Sequence, residues 1–431
     1  MTDRQAGSSN SHDGFRVRFS TAYLYLVSTG SLFIGLGAQL VGFTVLARYF
    51  GAEQFGHLMA ITAATTVALS MSGFGTEEVM VRRCIREPTL YPKLLGHSLI
   101  LISVSGICLS VVVVIGLHLL IRVADNTLQD IEALSIFSLS NIILARWITL
   151  TEFIFIAHRQ MKYANITVAS FAAARSLTAV VACLLFHVDR LQSWAYWHGA
   201  IHILGAVVCM VAVKNYGGPH WGIMREEVWR GIHVSTMQVI NNLRQNIDRL
   251  VLSAVVSPAT VGAYGVASSI VQYSLVTILS FSRLYYPKLV IAGQVGISST
   301  YRFAVDYLKV VIGLGAMNSV GLFFVAPLLP RLFGKEFTDS SHYLRILCWL
   351  PIFVAIQNIA YDALGAAEKH GIRARFYNTT GVIGVGLIIS STYFYGVRGT
   401  FVGIYLAIII ICIAMWAVLI SLGRNRTAGP R

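Results

Sequence analysis

The chain has 431 residues, of which 56% are hydrophobic and only 12% charged, with a formal net charge of +14. Soluble domains carry roughly a quarter charged residues, so this composition excludes an ordinary soluble globule and points to a polytopic membrane protein. A basic excess can also suit a nucleic-acid partner, but its distribution along this chain assigns it to membrane topology instead, and no nucleic acid is expected.

The first nineteen residues are polar and Ser-rich, and the apolar run after them is too long for a signal-peptide core, so no cleavable leader is expected. Within the tail, FRVRFS (residues 15–20) suits either a short interfacial anchor, with Arg16 and Arg18 among headgroups, or a solvated segment. Twelve apolar runs follow, near 21–47, 57–81, 94–121, 131–156, 164–187, 194–214, 231–256, 260–286, 303–329, 343–366, 372–395 and 399–421. Each approaches the ~20 residues a membrane helix needs, and none alternates with period two, so the fold class is all-α with twelve transmembrane helices rather than a β-barrel.

With both termini cytoplasmic, twenty-one Lys and Arg fall on the cytoplasmic side, among them Arg82, Arg83, Arg86, Arg225, Arg230, Arg283 and Lys288. Six fall on the other side: Arg48, Arg122, Arg190, Arg331, Lys335 and Arg398. That bias sets the expected orientation. Six cysteines, none in a CxxC pair, read as small buried residues with neither a disulfide frame nor a metal site. No cofactor is expected.

The longest central polar break, NYGGPHWGIMREEVWR (residues 215–230), opens on helix-stopping Gly217, Gly218 and Pro219. It carries Trp221 and Trp229, which suit the headgroup layer. Six spans lie on either side. The expected domains are a cytoplasmic tail (1–19), an N-lobe (20–214), a cytoplasmic linker (215–230), a C-lobe (231–421) and a second cytoplasmic tail (422–431). An internal repeat supports the division. VLARYFGAEQFGHL (45–58) superposes on VLSAVVSPATVGAY (251–264) with a shift of 206, which sets Gly56 on Gly262 and Arg82 on Lys288. Six intervening spans give both copies one orientation, so the repeat is parallel, about an axis along the membrane normal.

At VLARYFGAEQFGHLMAI (45–61) the sequence resembles the polysaccharide-exporter branch of the MOP flippase superfamily, which includes Wzx-type O-antigen and exopolysaccharide flippases and is related to MATE exporters. Further motifs carry the likeness in order: GFGTEEVMVRR (73–83), Ile247-Asp248-Arg249, the turn around Val261, Gly262 and Tyr264, and LFGKEF (332–337) followed by LRIL (344–347). Ser257-Pro258 departs from the Gly-Pro usual at that turn. The resemblance implies two six-helix lobes around a central cavity and a bacterial inner-membrane location. Its implied cargo is undecaprenyl-diphosphate-linked oligosaccharide, moved to the periplasmic leaflet by alternating access. The expected surroundings are inner-membrane lipids and a polysaccharide polymerase or chain-length complex, and the expected state is a monomer.

The seventh span holds QVINNLRQNIDRLVLS (238–253). Gln238, Asn241, Gln245 and Asp248 share one helical stripe, and Arg244 and Asp248 are four apart. An ionised group at mid-bilayer costs about 2.5–3.5 kcal/mol on insertion scales, so this stripe is expected to face protein or water and to line the interlobe cavity. A guanidinium fork matches phosphate oxygens, so Arg146, Arg175, Arg244 and Arg249 are expected to make a cationic lumen, with Arg48 as a further candidate. Arg244 and Asp248 also fit a structural intrahelical pair, and Arg249 and Arg48 fit an interfacial role, which for Arg48 is favoured. Glu152 and Asp362 are candidates for ion coupling; charge balance for Glu152 and a helix-partner bond for Asp362 are the simpler readings. Glu77 and Glu78 are expected to pair at the interface with Arg82 and Arg83. His198 and His202 have metal-binding spacing but no third ligand, so interfacial packing is expected. Tyr23, Tyr25, Trp194, Tyr196, Trp197, Tyr393 and Tyr395 read as an interfacial belt.

Two other functions compete with the flippase. A MATE-type cation or drug antiporter would prefer an acidic lumen. A polysaccharide polymerase or glycosyltransferase would need a catalytic domain or large loop, and an ATP-driven pump a GxxxxGK[ST] loop; the chain has neither.

Overall fold

The structure is a computed structural model that describes residues 9–120 and 127–424, with side chains over 35–119 and 131–424. The expectations for Arg16, Arg18, Tyr23, Tyr25, Arg122 and most of the C-terminal tail lie outside the described side chains. Among the described residues there is no strand. The first half comprises α1 (Ser9–Met71), α2 (Thr76–Arg86), α3 (Tyr91–Leu120), α4 (Thr127–Leu139), α5 (Ala145–Ala157), α6 (Met161–Leu184) and α7 (Leu191–Val213). The second comprises α8 (Arg225–Val255), α9 (Pro258–Val295), α10 (Ile297–Val325), α11 (Leu329–Phe333), α12 (Thr338–Leu347), α13 (Leu350–Ala366) and α14 (His370–Arg424).

Eight of the described helical segments are long and apolar enough to cross a membrane, and a ninth is added if the pair bent by 43° around Leu347 is one span. Two of these segments are doubled. In α1 Gly51 has φ 68°, open to glycine but strained for other residues, and the chain reverses there. Phe43 and Phe55 would stand about 18 Å apart along a straight helix, yet their ring centroids are 5.0 Å apart. In α14 Gly396 at φ 57° makes the same reversal, bringing the Thr392 and Thr400 hydroxyls to 3.0 Å. The remaining arm is α8, long enough at 31 residues but too polar to qualify on composition. These arms account for the twelve runs read from the sequence, in two lobes. The expected linker is shorter than its polar composition suggests, because α8 already begins at Arg225.

The repeat has a physical counterpart. A Cβ on Gly56 would collide with the Pro258 carbonyl, and a Cβ on Gly262 would collide with the Ala52 carbonyl. Gly56 and Gly262, and likewise Ala52 and Pro258, are each related by the shift of 206. Equivalent backbones therefore touch reciprocally, as in a two-fold contact, and only glycine lets them approach. Ser257 caps α9, accepting from the Thr260 amide at 3.4 Å, with Pro258 at the first helical position, so the departure from Gly-Pro leaves a well-formed helix start. LFGKEF grips the same end of the molecule: Glu336 accepts a hydrogen bond from the Ala52 amide at 2.9 Å. Phe333 and Phe337 meet Phe43 and Phe55 edge to face.

The cysteines are free, and five are buried. Cys108 is exposed, which corrects the uniformly buried reading; α3 turns that face outward beside exposed Val104 and Val111.

Candidate functional site

A cavity of about 390 Å³ lies between the lobes, lined by α1, the α4–α5 span, α6 and α7 on one side and by α8 and α9 on the other. From α8 it receives Asn242, Gln245, Asn246 and Arg249. This is an i, i+3, i+4, i+7 face offset by one position from the stripe expected from sequence. Gln245 belongs to both. Gln238 is exposed and lies outside the cavity lining, while Asn241 and Asp248 face neighbouring helices instead. The reason is that α8 is polar on two faces, and α14 takes one of them.

On that face the Tyr377 hydroxyl donates to Asn241 Oδ1 at 2.9 Å, and Arg244 Nη2 donates to Tyr377 at 3.1 Å and to Asn241 at 3.2 Å. The Arg244 guanidinium also stacks 5.6 Å from the Tyr377 ring. Arg244 makes no pair with Asp248, so the intrahelical ion pair that the spacing allows as an alternative does not form among the described contacts. Asp248 is taken by α9, accepting from the Tyr264 hydroxyl, and it also accepts from the Arg249 amide at 2.8 Å.

Arg249 is 4% exposed. Its Nε donates to Ser268 at 3.1 Å and its Nη2 to Ser269 at 3.3 Å, both on α9. No carboxylate contacts its guanidinium among the described residues. Two neutral hydroxyls therefore hold the guanidinium directly, and buried Asp248, next in the chain, reaches it electrostatically without an ion-pair contact. The serines escaped sequence reasoning because a hydroxyl in an apolar helix usually bonds its own backbone, and nothing in AYGVASSI distinguishes the two that do not. Opposite, half-buried Arg175 on α6 lines the same cavity and makes no hydrogen bond or ion pair among the described residues. Tyr273 sits within electrostatic reach of both cations. Among the described residues no Asp or Glu lines the cavity.

The N-lobe wall is a neutral polar network. His198 shares a hydrogen bond of 2.9 Å with Asn141, whose amide donates to Thr65 at 3.2 Å. A π turn over Ser140–Leu144 interrupts the fourth span where Asn141 joins that wall. His202 stacks 4.2 Å from His198, and both are buried. The histidines thus line the interior rather than the interface, as does Trp194 at 2% exposure. Tyr196, Tyr393 and Tyr395 are exposed, in keeping with the belt. No group of three or more His, Cys, Asp or Glu that could hold a metal occurs among the described residues.

The other cations differ. Arg146 is buried in an ion pair with Glu77 and does not line the cavity. That pair corrects two expectations at once: Arg146 is not a free lumen cation, and Glu77 turns inward rather than to Arg82 or Arg83. Glu152, half-buried, makes no ion pair or hydrogen bond among the described residues, so Glu77 rather than Glu152 balances Arg146. Asp362 accepts from the Tyr285 hydroxyl of α9 at 3.0 Å, the helix-partner arrangement. Arg48 is exposed and outside the cavity.

Residues 25–290 match the family model described as polysaccharide biosynthesis protein, more than half of the chain. The chain belongs to this family. It is 21% identical over 414 residues to the lipopolysaccharide biosynthesis protein WzxC of Escherichia coli K12, covering 90% of this chain and 78% of that one. Its fold is similar to that of a multidrug resistance MATE family transporter of the MOP superfamily in an inward-facing conformation. The TM-score is 0.70 at 15% identity, over 93% of this chain and 94% of the other. A MOP superfamily transporter from Pyrococcus furiosus matches with a TM-score of 0.62 at 15% identity, over 94% and 96%. The family member described here is a multi-pass membrane protein of transporter fold and not an enzyme.

Proposed function

We propose that this protein flips undecaprenyl-diphosphate-linked oligosaccharide across the bacterial inner membrane by alternating access of the interlobe cavity, with both termini cytoplasmic. The observation that carries the reading is the cavity itself: Arg175 and Arg249 face it from opposite lobes, amides, hydroxyls, imidazoles, aromatics and aliphatic side chains fill the rest, and among the described residues no carboxylate lines it. A diphosphate brings about two negative charges into low dielectric, where each charge-assisted hydrogen bond contributes roughly 1.5–3 kcal/mol. A cationic drug would meet two guanidiniums there and, among the described lining residues, no carboxylate to offset them. The volume of about 390 Å³ suits a diphosphate with its first sugars, while the lipid tail stays in the bilayer. Arg244 is a reserve cation, one helical face away and restrained by Tyr377. The named relative, a lipopolysaccharide biosynthesis protein, supports the cargo class. The chain works as a monomer and hands its product to a polymerase or chain-length complex.

The test is reconstitution in proteoliposomes with a fluorescent undecaprenyl-diphosphate oligosaccharide, scoring leaflet exchange by quenching. Exchange that needs Arg175 and Arg249 supports the reading. Exchange indifferent to both, or uptake of a cationic dye in its place, rejects it and favours a MATE-type antiporter.

A further inference from the structure

A second cleft, of about 620 Å³, lies at the opposite end of the molecule from the Gly56–Gly262 contact, between α2 of one lobe and α8 of the other. The lobes touch there backbone to backbone: a Cβ on Gly231 would collide with the Phe74 carbonyl. Beside this contact the cleft is lined by Arg82, Arg83, Arg86 and Arg230, with Glu227 as its sole carboxylate, and Trp229 stands 67% exposed at its rim.

Glu227 is 2% exposed and holds two guanidiniums through one oxygen. Arg230 Nη1 donates to its Oε1 at 2.9 Å from the same helix, and Arg83 Nε lies 3.1 Å from that oxygen across the seam. The second oxygen, Oε2, is buried without a hydrogen-bond partner, and Arg83 Nε approaches at an angle that leaves its hydrogen unbonded. The contact holds the lobes by charge, with hydrogen-bonding capacity left over on both sides. Arg82 and Arg86 are exposed and make no hydrogen bond or ion pair among the described residues. Exposed Glu87 accepts from Arg83 Nη1 at 3.2 Å, and exposed Glu226 lies 3.6 Å from Arg230 Nη2. Four guanidiniums against three carboxylates, one of them under-bonded, thus form an anion site partly filled by the protein itself. An exposed tryptophan at the rim suits the headgroup depth of a bilayer.

We propose that this seam is a docking site for a lipid-anchored diphosphate, and that the diphosphate competes with Glu227 for Arg83 and Arg230, loosening the contact between the lobes as it binds. The inference rests on the proposed cargo class but concerns a site distinct from the central cavity. A phosphate pair offers more acceptor oxygens than a carboxylate and reaches Arg82 and Arg86 as well. The ligand that occupies the seam is thus the ligand that unlocks it, because its binding free energy replaces that of the interlobe ion pair.

The test is equilibrium binding to the full chain in nanodiscs of neutral phospholipid, with undecaprenyl diphosphate, phosphatidylglycerol and inorganic pyrophosphate as separate probes. Undecaprenyl diphosphate is expected to bind best. Arg82→Gln and Arg86→Gln, on exposed positions that burden the fold least, are each expected to weaken it about fivefold. Glu227→Gln is expected to strengthen binding about tenfold by removing the competitor, and to raise maleimide labelling of a cysteine placed at Val234. Glu227→Gln with unchanged or weaker binding overturns the competition. Equal binding of phosphatidylglycerol reduces the seam to a general anionic-lipid patch, and equal binding of pyrophosphate removes the lipid anchor; either result overturns the docking site. Arg175→Ala and Arg249→Ala separate the two readings. If they spare flipping while the seam variants lose diphosphate, the central-cavity reading falls and the seam stands; if they abolish flipping while the seam variants bind normally, the reverse holds.

Discussion

Arg146 and Arg249 are both buried arginines in membrane helices, one in each lobe, and they are compensated in opposite ways. Arg146 meets the carboxylate of Glu77 and its charge ends there. Arg249 meets two serine hydroxyls, which orient the guanidinium, while Asp248 acts on it only through the field, without an ion-pair contact among the described residues. Burial alone therefore does not distinguish a structural cation from one available to a ligand; the chemistry of the partner does. Neutral donors and acceptors preserve a field in low dielectric, whereas a counter-charge cancels it.

The largest effect expected from this contrast is on stability. Arg146→Ala leaves Glu77 buried and unpaired and should cost about 3–5 kcal/mol, read as a drop in melting temperature and monodisperse yield. Replacing both partners by Met and Leu should recover most of it. If Arg146→Ala were stable but inactive, the division between the two arginines would be reversed. Next comes the uncharged frame both rely on: Gly56→Ala forces the turn of α1 off Pro258, an overpacking worth about 1–3 kcal/mol, measured by the same melting curves. Arg249→Leu sharpens the contrast further. It removes a cation that makes no ion-pair contact among the described residues but leaves Asp248 buried on the Tyr264 hydroxyl. Stability should therefore fall by about 1–3 kcal/mol, less than for Arg146→Ala, while flipping falls at least about tenfold; a loss as large as that of Arg146→Ala would class it with Arg146. The smallest effect belongs to Arg48→Ala, on an exposed side chain, at under about 0.5 kcal/mol with flipping unchanged in the same vesicle assay.

The sequence was most legible where physics acts locally. Spans follow from apolar run length, and the repeat from a shift that the paired glycines make tangible at Gly56 and Gly262. The site was legible only in part. Arg175 and Arg249 were expected in the lumen and line the cavity, but the face of α8 was misjudged by one residue. Polar groups at both 241 and 242 satisfy a helical stripe, and only the position of Tyr377 on α14 decides which of them turns away. The fate of Arg146 was hidden for a similar reason. Its partner lies sixty-nine residues earlier on another helix, while Glu77 has nearer arginines in sequence that α2 carries to a different face. Pairing across helices is set by packing, and helical periodicity carries no record of it.

The bond from the Ala52 amide to Glu336 spans 284 positions of the chain, and this has a consequence for biosynthesis. At 5–20 residues per second, a ribosome needs roughly 15–60 s to deliver that glutamate after the amide it satisfies has been made. Through that interval the start of the second arm keeps an open donor facing a partner not yet translated. The early half must wait in the insertion machinery for its late-made counterpart, so a nascent chain truncated before LFGKEF should be more protease-sensitive at Gly51 than the finished protein.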